Sequence, residues 1–283
     1  MLGFKKKSKV NGDAENEKDV KKAVNKAGKI ALCLGGGGMR GFAHIGAIKA
    51  LRENNVKFDM VCGTSIGALV AALYALDVSY DEMLERVGGF RFKKLHNGFP
   101  FPSNNPLKIE RVVRELVGDI NIEELFVPYF CVAVDVLSGQ QVIFDKGPLY
   151  QAVTCSCNLP ILFKPYPLED KRLSDGGLKN NIPAATARML GADKVITVDV
   201  NPTRGSGTEN IGYIGMVMAT LDMAISNSSV EGLINSDVII APDMSRFKAT
   251  DESGWGSMIK IGYDTAMEQM DTIIKIVENK KLY

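Results

Sequence analysis

Residues 30–76 read IALCLGGGGMRGFAHIGAIKALRENNVKFDMVCGTSIGALVAALYAL, and they contain two copies of one arrangement. An apolar run, a glycine-rich turn and a helix-like pattern follow one another, twice. "KIALCLGG" predicts a buried strand and "MRGFAHIGAIKALREN" a helix, with Ile45, Ile48 and Leu51 at helical spacing. "FDMVCGTS" predicts a second strand, and "IGALVAALYALD" the helix after it. Strand–turn–helix units in succession point to an α/β chain whose glycine turns share one end of a sheet.

The first turn, Gly36-Gly37-Gly38-Met39-Arg40-Gly41, matches G-x-G-x-x-G. A dinucleotide site would also want an acidic residue at the carboxyl end of the next strand. Asp59 opens that strand instead, at the wrong end of the sheet, and Phe42 stands where a Walker loop needs Lys. What the loop does offer is backbone N–H groups with no Cβ in the way, at the positive end of a helix. Such groups hold a phosphate or the oxyanion of an acyl-transfer intermediate. The second turn, Gly63-Thr64-Ser65-Ile66-Gly67, has the G-x-S-x-G form of a nucleophile elbow, with Gly63 and Gly67 letting the backbone pass closely. A serine N-cap in a tight turn is the plainer reading of the same residues.

A nucleophilic serine needs a base, and the chain has two histidines. His44 precedes Ser65 and suits a capping or packing role; His96 falls in an irregular stretch. A carboxylate is the other choice. In "RLSDGG", Asp175 ends a predicted strand, and Gly176 and Gly177 allow an immediate turn. A partly desolvated carboxylate can take a hydroxyl proton. Taken alone, Asp175 reads better as a plain turn aspartate.

The remainder of the 283-residue chain continues the alternation. "YFCVAVDVLSGQQVIFDKG" predicts a hairpin turning at Ser138-Gly139. A small-residue helix, "LYQAVTCSCNLP", follows, then a hairpin around Glu169-Asp170-Lys171, the helix "AATARMLG" and the strand "DKVITVDVNP". A Met-rich helix over about 211–235, the strand "SDVIIAPDM" and one closing helix over 257–279 complete the pattern. Residues 88–106 have no clear period and carry Phe90, Phe92, Phe99 and Phe101 among Gly, Pro and Asn. They suit either a mobile apolar cover or an ordered surface loop. Of the five cysteines, Cys155 and Cys157 could be half a metal site, but small buried thiols fit better. No C-x-x-C pair occurs, and a reducing, cytoplasmic setting is expected.

The formal net charge of +1 excludes the basic excess of a nucleic-acid binder. Charge is concentrated at the start: residues 1–29 hold nine Lys against four acidic residues. Residues 1–28 read as a disordered basic tail, and 29–283 as one domain. No apolar run is long enough to span a bilayer. Lys5, Lys6, Lys7 and Lys9 follow Met1, Leu2 and Phe4, a pattern for weak peripheral contact with an anionic membrane, or for a plain solvated tail.

Together, the GGGxRG loop, G-x-S-x-G some 25 residues on and D-G-G far downstream closely resemble the patatin-like phospholipases. "SCNLPILFKP", "DGGLKNNIP" and "GADKVITVDV" extend the match over residues 29 to about 202. The resemblance implies a three-layer α/β/α sandwich with a mainly parallel central sheet, and hydrolysis of lipid esters without metal or cofactor. Ser65 matches the family nucleophile, Asp175 its dyad partner, and Gly36, Gly37, Gly38, Arg40 and Gly41 the oxyanion loop. The family often has D-G-A where this chain has Asp175-Gly176-Gly177. A thioesterase, a general carboxylesterase, or a regulator that keeps the fold for partner binding are the rival readings.

Overall fold

The computed structural model describes residues 28–88, 106–160, 162–201, 212–250 and 253–279. The expected basic tail, His96 and the aromatic stretch between Gly88 and Pro106 lie outside the described residues. The first two units appear as read: β1 (Ile30–Leu34), a 3-10 turn (Gly38–Gly41), α1 (Phe42–Glu53), β2 (Met60–Gly63) and α2 (Ile66–Ala75). Then come α3 (Tyr80–Gly88), α4 (Leu107–Val117), β3 (Tyr129–Asp135), β4 (Gln140–Phe144) and α5 (Leu149–Ser156). Next are β5 (Tyr166–Leu168), β6 (Lys171–Asp175), α6 (Ala184–Met189) and β7 (Lys194–Val198). The chain closes with α7 (Tyr213–Ile234), β8 (Val238–Ile240), α8 (Trp255–Glu268) and α9 (Met270–Asn279).

All eight strands join one sheet, in the order β5-β6-β3-β2-β1-β7-β8, with β4 also paired to β3. The stretch from β3 through β2, β1 and β7 to β8 is parallel. β4 and β6 run antiparallel to β3, and β5 antiparallel to β6. The sheet is therefore mixed, because two hairpins are grafted onto one side of the expected parallel core. Alternation along β1 shows why it is covered twice. Ile30, Leu32 and Leu34 join the core with α1, α2 and α8, while Ala31 and Cys33 face Ala184 and Ala187 of α6. The result is the three-layer α/β/α sandwich.

Every residue of α2 is buried, which explains a sequence there with no polar face at all. α1 and α8 cross at contact distance through two glycines. A Cβ on Gly46 would lie 1.9 Å from the Ile259 carbonyl oxygen, and one on Gly262 2.1 Å from that of Ala43. The single closing helix read from the sequence is two helices. The Gln269 N–H bonds back to Ala266 O in a tight turn between α8 and α9, and this turn brings Met270 and Ile273 into the core.

One detail of register positions the site. On β3, Cys131 pairs with Gly63 of β2 and Phe144 of β4, whereas Ala133 pairs with Asp175 of β6 and Val142 of β4. β4 occupies one edge of β3 from Cys131 to Asp135, so β2 and β6 must share the other edge. They meet there end to end. The last residues of the two strands are two β3 positions apart, about 7 Å of strand.

Candidate active site

Ser65 stands two residues beyond Gly63 with φ 54° and ψ −127°. A non-glycine residue rarely adopts this conformation, which costs roughly 1–3 kcal/mol and persists only where its surroundings impose it. The surroundings are close. A Cβ on Gly63 would come within 2.3 Å of the Gly67 carbonyl carbon, and one on Gly67 within 2.2 Å of Leu34 O. Although Ser65 occupies the N-cap position of α2, its side chain makes no capping hydrogen bond. The plainer N-cap reading therefore does not describe its hydroxyl.

The glycine loop packs directly on this elbow. The Thr64 N–H donates to Leu34 O (3.1 Å), the Gly35 N–H to Val198 O (3.0 Å) and the Met39 N–H to Ala249 O (2.8 Å). A Cβ on Gly36 would lie 3.2 Å from the Cβ of Ser65 and 2.6 Å from Asn181 Oδ1. Gly38 has φ 59°, and a Cβ there would meet Ala249 O at 2.4 Å. Among the described residues nothing accepts from the Gly37 or Gly38 N–H groups. Gly41 lets the loop close over Ile66, whose Cγ1 would sit 2.3 Å from an added Cβ.

Arg40 fastens the loop from behind. Its Nε donates to Gly37 O (3.2 Å) and its Nη2 to Asn201 Oδ1 (2.7 Å); Asn201 Nδ2 in turn donates to Gly36 O (2.6 Å). Burial pulls the guanidinium pKa down, while the charges of Asp222 and Asp199 pull it back up. His44 holds the other end: it is fully buried and its Nε2–H donates to Gly35 O at 2.8 Å. Burial pushes its pKa down to about 4, so the ring is neutral, with Nδ1 unpartnered among the described residues. It is a loop support on α1.

Asp175 arrives at the end of β6 and is only 2% exposed. Its Oδ1 accepts from the Gly177 N–H at 2.8 Å, capping the short 3-10 turn Gly176–Leu178. The turn-aspartate reading thus holds for one oxygen. The other, Oδ2, is buried with no hydrogen-bond partner among the described residues. Desolvation pushes the carboxyl up to about 6, against smaller opposing effects of the nearby Ser65 hydroxyl and the Gly177 N–H. The hydroxyl therefore lies close enough to favour the carboxylate, although not in hydrogen-bond geometry. Gly176 permits the contact of this turn with β3, since a Cβ there would be 2.3 Å from Val132 O. Gly177 borders Asn181 Oδ1, 3.1 Å from its own virtual Cβ.

The structure thus gathers every site residue read from the sequence at the carboxyl ends of β1, β2 and β6. It also adds some that the reading missed. Asn181 and Asn201 brace Gly36, Asp199 holds the Asn201 N–H at 2.9 Å, and Ser156 and Asn158 at the end of α5 touch the backbone of Ser65 and Asp175. Ser156, Asn158 and Asn181 fall inside the SCNLPILFKP and DGGLKNNIP stretches quoted above, but no sequence signal shows which main-chain groups they hold. Cys155 is buried, Cys157 half-buried, and no group of three metal-ligating side chains occurs among the described residues. Asp59, excluded above as a ribose ligand, accepts from the Ile30 N–H (2.7 Å) at the opposite end of the sheet.

A family model of patatin-like phospholipases matches residues 32–188, more than half of the chain. The chain belongs to the patatin-like phospholipase family. It is 35% identical over 179 residues to an uncharacterized NTE family protein of Mycobacterium tuberculosis, covering 61% of this chain and 49% of that one. To human patatin-like phospholipase domain-containing protein 6 it is 37% identical over 181 residues, 60% of this chain and 13% of the relative. The neuropathy target esterase sws of Drosophila melanogaster is 33% identical over 194 residues, 65% of this chain and 14% of that protein. The chain therefore corresponds to half or less of these relatives. Among solved structures, VipD from Legionella pneumophila superposes with a TM-score of 0.56 at 16% identity, covering 87% of this chain and 67% of that one. Human GIVD cytosolic phospholipase A2, in complex with methyl gamma-linolenyl fluorophosphonate, gives 0.51 at 10% identity, with 93% and 62% covered. At these identities the likeness is one of fold. The patatin-like match ends at residue 188, inside α6, whereas the sheet continues through β7 and β8.

Proposed function

We propose that this patatin-like protein is a serine hydrolase of lipid esters working through a Ser65–Asp175 dyad. The observation that carries the reading is the buried Oδ2 of Asp175, unpartnered among the described residues and held beside a serine whose strained backbone presents a hydroxyl that caps nothing. Ser65 Oγ attacks the ester carbonyl while its proton passes to Asp175 Oδ2. The negative charge gathering on the carbonyl oxygen is received by the Gly37 and Gly38 N–H groups, which have no other acceptor among the described residues. Each such donor is worth about 3 kcal/mol of barrier. Asp175 then returns the proton to the departing alcohol, leaving an acyl-Ser65 ester. Water attacks that ester, Asp175 takes a proton from it, and the fatty acid leaves as the Ser65 hydroxyl is restored. With a pKa near 6, the carboxylate is ionised at neutral pH yet far more basic than an exposed aspartate.

The lipid class of the substrate rests on the family and on its relatives' phospholipase and esterase names. No helix among the described residues is long and apolar enough to cross a membrane. The basic tail, with Lys5, Lys6, Lys7 and Lys9, is proposed to aid docking on anionic bilayers. The test is fatty-acid release from phospholipids, lysophospholipids and acyl thioesters by wild type, Ser65→Ala and Asp175→Asn. Release from the oxygen esters by wild type alone is expected. Release confined to thioesters, or retained by Ser65→Ala, overturns the reading.

A further inference from the structure

β2 and β6 meet end to end along one edge of β3, and their junction leaves a break in the ladder. Val132 lies on β3 between the Cys131–Gly63 and Ala133–Asp175 pairings. Its carbonyl oxygen accepts from a side chain, Ser156 Oγ, at 2.7 Å. The same Oγ accepts from the backbone N–H of Ser65 at 2.9 Å. Ser156 is fully buried at the last turn of α5. Its hydroxyl has one proton and two lone pairs, and here the proton goes to Val132 while a lone pair receives Ser65.

We infer that Ser156 is a positioning residue for the nucleophile, its hydroxyl standing in for the missing ladder residue and holding Ser65 in its strained conformation. The inference rests on the hydrolase reading for its kinetic consequence but not for its structural one. A backbone at φ 54° and ψ −127° relaxes unless its neighbours hold it. The glycines around Ser65 remove obstacles without pulling on its peptide. The Ser65 N–H is the group that must be held, and Ser156 Oγ is the acceptor that holds it. Two residues on, the same segment fixes the partner: Asn158 O accepts from the Asp175 N–H at 3.0 Å and from Ser174 Oγ at 2.8 Å. Asn158 is itself tied by Nδ2 to Lys164 O (2.9 Å) and Leu173 O (3.0 Å). Ser156-Cys157-Asn158 thus grips both members of the dyad by their main chains, and the end of α5 sets their separation. No substrate atom need touch Ser156.

The experiment compares Ser156→Ala with Ser156→Thr and Ser156→Val in the full chain. Thr and Val have the same shape and differ by the hydroxyl, so overpacking affects both alike. Two readouts are taken on protein shown to be folded: exchange of the Ser65 amide hydrogen, and kcat and KM on a lipid ester that the wild type hydrolyses. Expected are amide exchange at least about 10-fold faster in Ala and Val than in wild type or Thr, and a kcat about 10- to 100-fold lower in Ala and Val with KM within about two-fold. Thr restores most of the rate. Wild-type kcat in Ser156→Ala, or equal losses in Thr and Val, overturns the inference and leaves a packing role. If the wild type hydrolyses no ester, the hydrolase reading fails, and amide exchange alone decides on Ser156: unchanged protection in Ala and Val overturns it.

Discussion

Replacing Asp175 by Asn is expected to make the protein more stable as it becomes inactive, and the size of the effect follows from the burial of one carboxyl. Desolvation raises the Asp175 pKa from its ordinary 3.8 to about 6. The folded state therefore binds this proton more tightly than the unfolded chain. Below pH 3.8 both states are protonated and the residue costs nothing by ionising. As pH rises the unfolded chain ionises first, and stability falls until the folded carboxyl has ionised too, above pH 6. The full loss is about 3 kcal/mol, at 1.36 kcal/mol per pKa unit, and about 2 kcal/mol of it falls between pH 4.5 and 7.5. An asparagine keeps the Gly177 contact through its carbonyl oxygen and has no charge to desolvate. His44 works in the opposite direction. Its pKa is lowered to about 4, so stability is lost as pH falls from about 6.5 toward 4, and the wild-type curve alone conceals both residues. The difference between wild type and Asp175→Asn cancels His44. Urea unfolding of both proteins at pH 4.5 and 7.5 is the assay, with the stability difference expected to move by about 2 kcal/mol in favour of Asn at the higher pH. A difference that does not change with pH would refute the claim that Asp175 is a desolvated carboxylate.

Three further outcomes are expected. The acid limb of kcat/KM should have its midpoint near pH 6, with activity falling about tenfold per unit below it as Asp175 takes up a proton; a midpoint near pH 4 in a pH–rate series would mean that another group serves as base. Arg40→Lys, which cannot make the two-point bridge to Gly37 O and Asn201, should lower kcat by about tenfold or more with little change in KM; a pure KM effect in steady-state kinetics would place Arg40 in substrate binding instead. His44→Leu should weaken the glycine loop by leaving Gly35 O unpaired, lowering the rate without moving the acid midpoint, and a shifted midpoint would make His44 part of the titrating unit.

The two turns were legible because each motif needs only local chemistry. Glycines between an apolar run and a helical pattern announce close backbone approach, and a Cβ at Gly36, Gly37, Gly38, Gly63 or Gly67 would collide with its neighbours. Asp175 was legible only as a candidate. What sets it opposite Ser65 is the shared edge of β3, which brings together the ends of two strands more than a hundred residues apart, and no local pattern encodes it. The same holds for Ser156, Asn158, Asn181 and Asn201, whose roles are hydrogen bonds to groups distant in sequence. The closing helix was misread as one because 257–279 keeps its helical period through Gln269, where the turn is imposed by packing on the core. The mainly parallel sheet and its two hairpins were legible too, but their joining was not. Hairpins are visible in sequence, but the strand they attach to is not.

The central claim is that Ser65 is the nucleophile and Asp175 the group that activates it. Its most direct test is reaction of the full chain with a fluorophosphonate, followed by peptide mass spectrometry and by the rate of adduct formation in wild type and Asp175→Asn. The account predicts one adduct, on Ser65, absent from Ser65→Ala and formed at least about 100-fold more slowly in Asp175→Asn. An adduct on another residue, or labelling of Asp175→Asn at the wild-type rate, would contradict it.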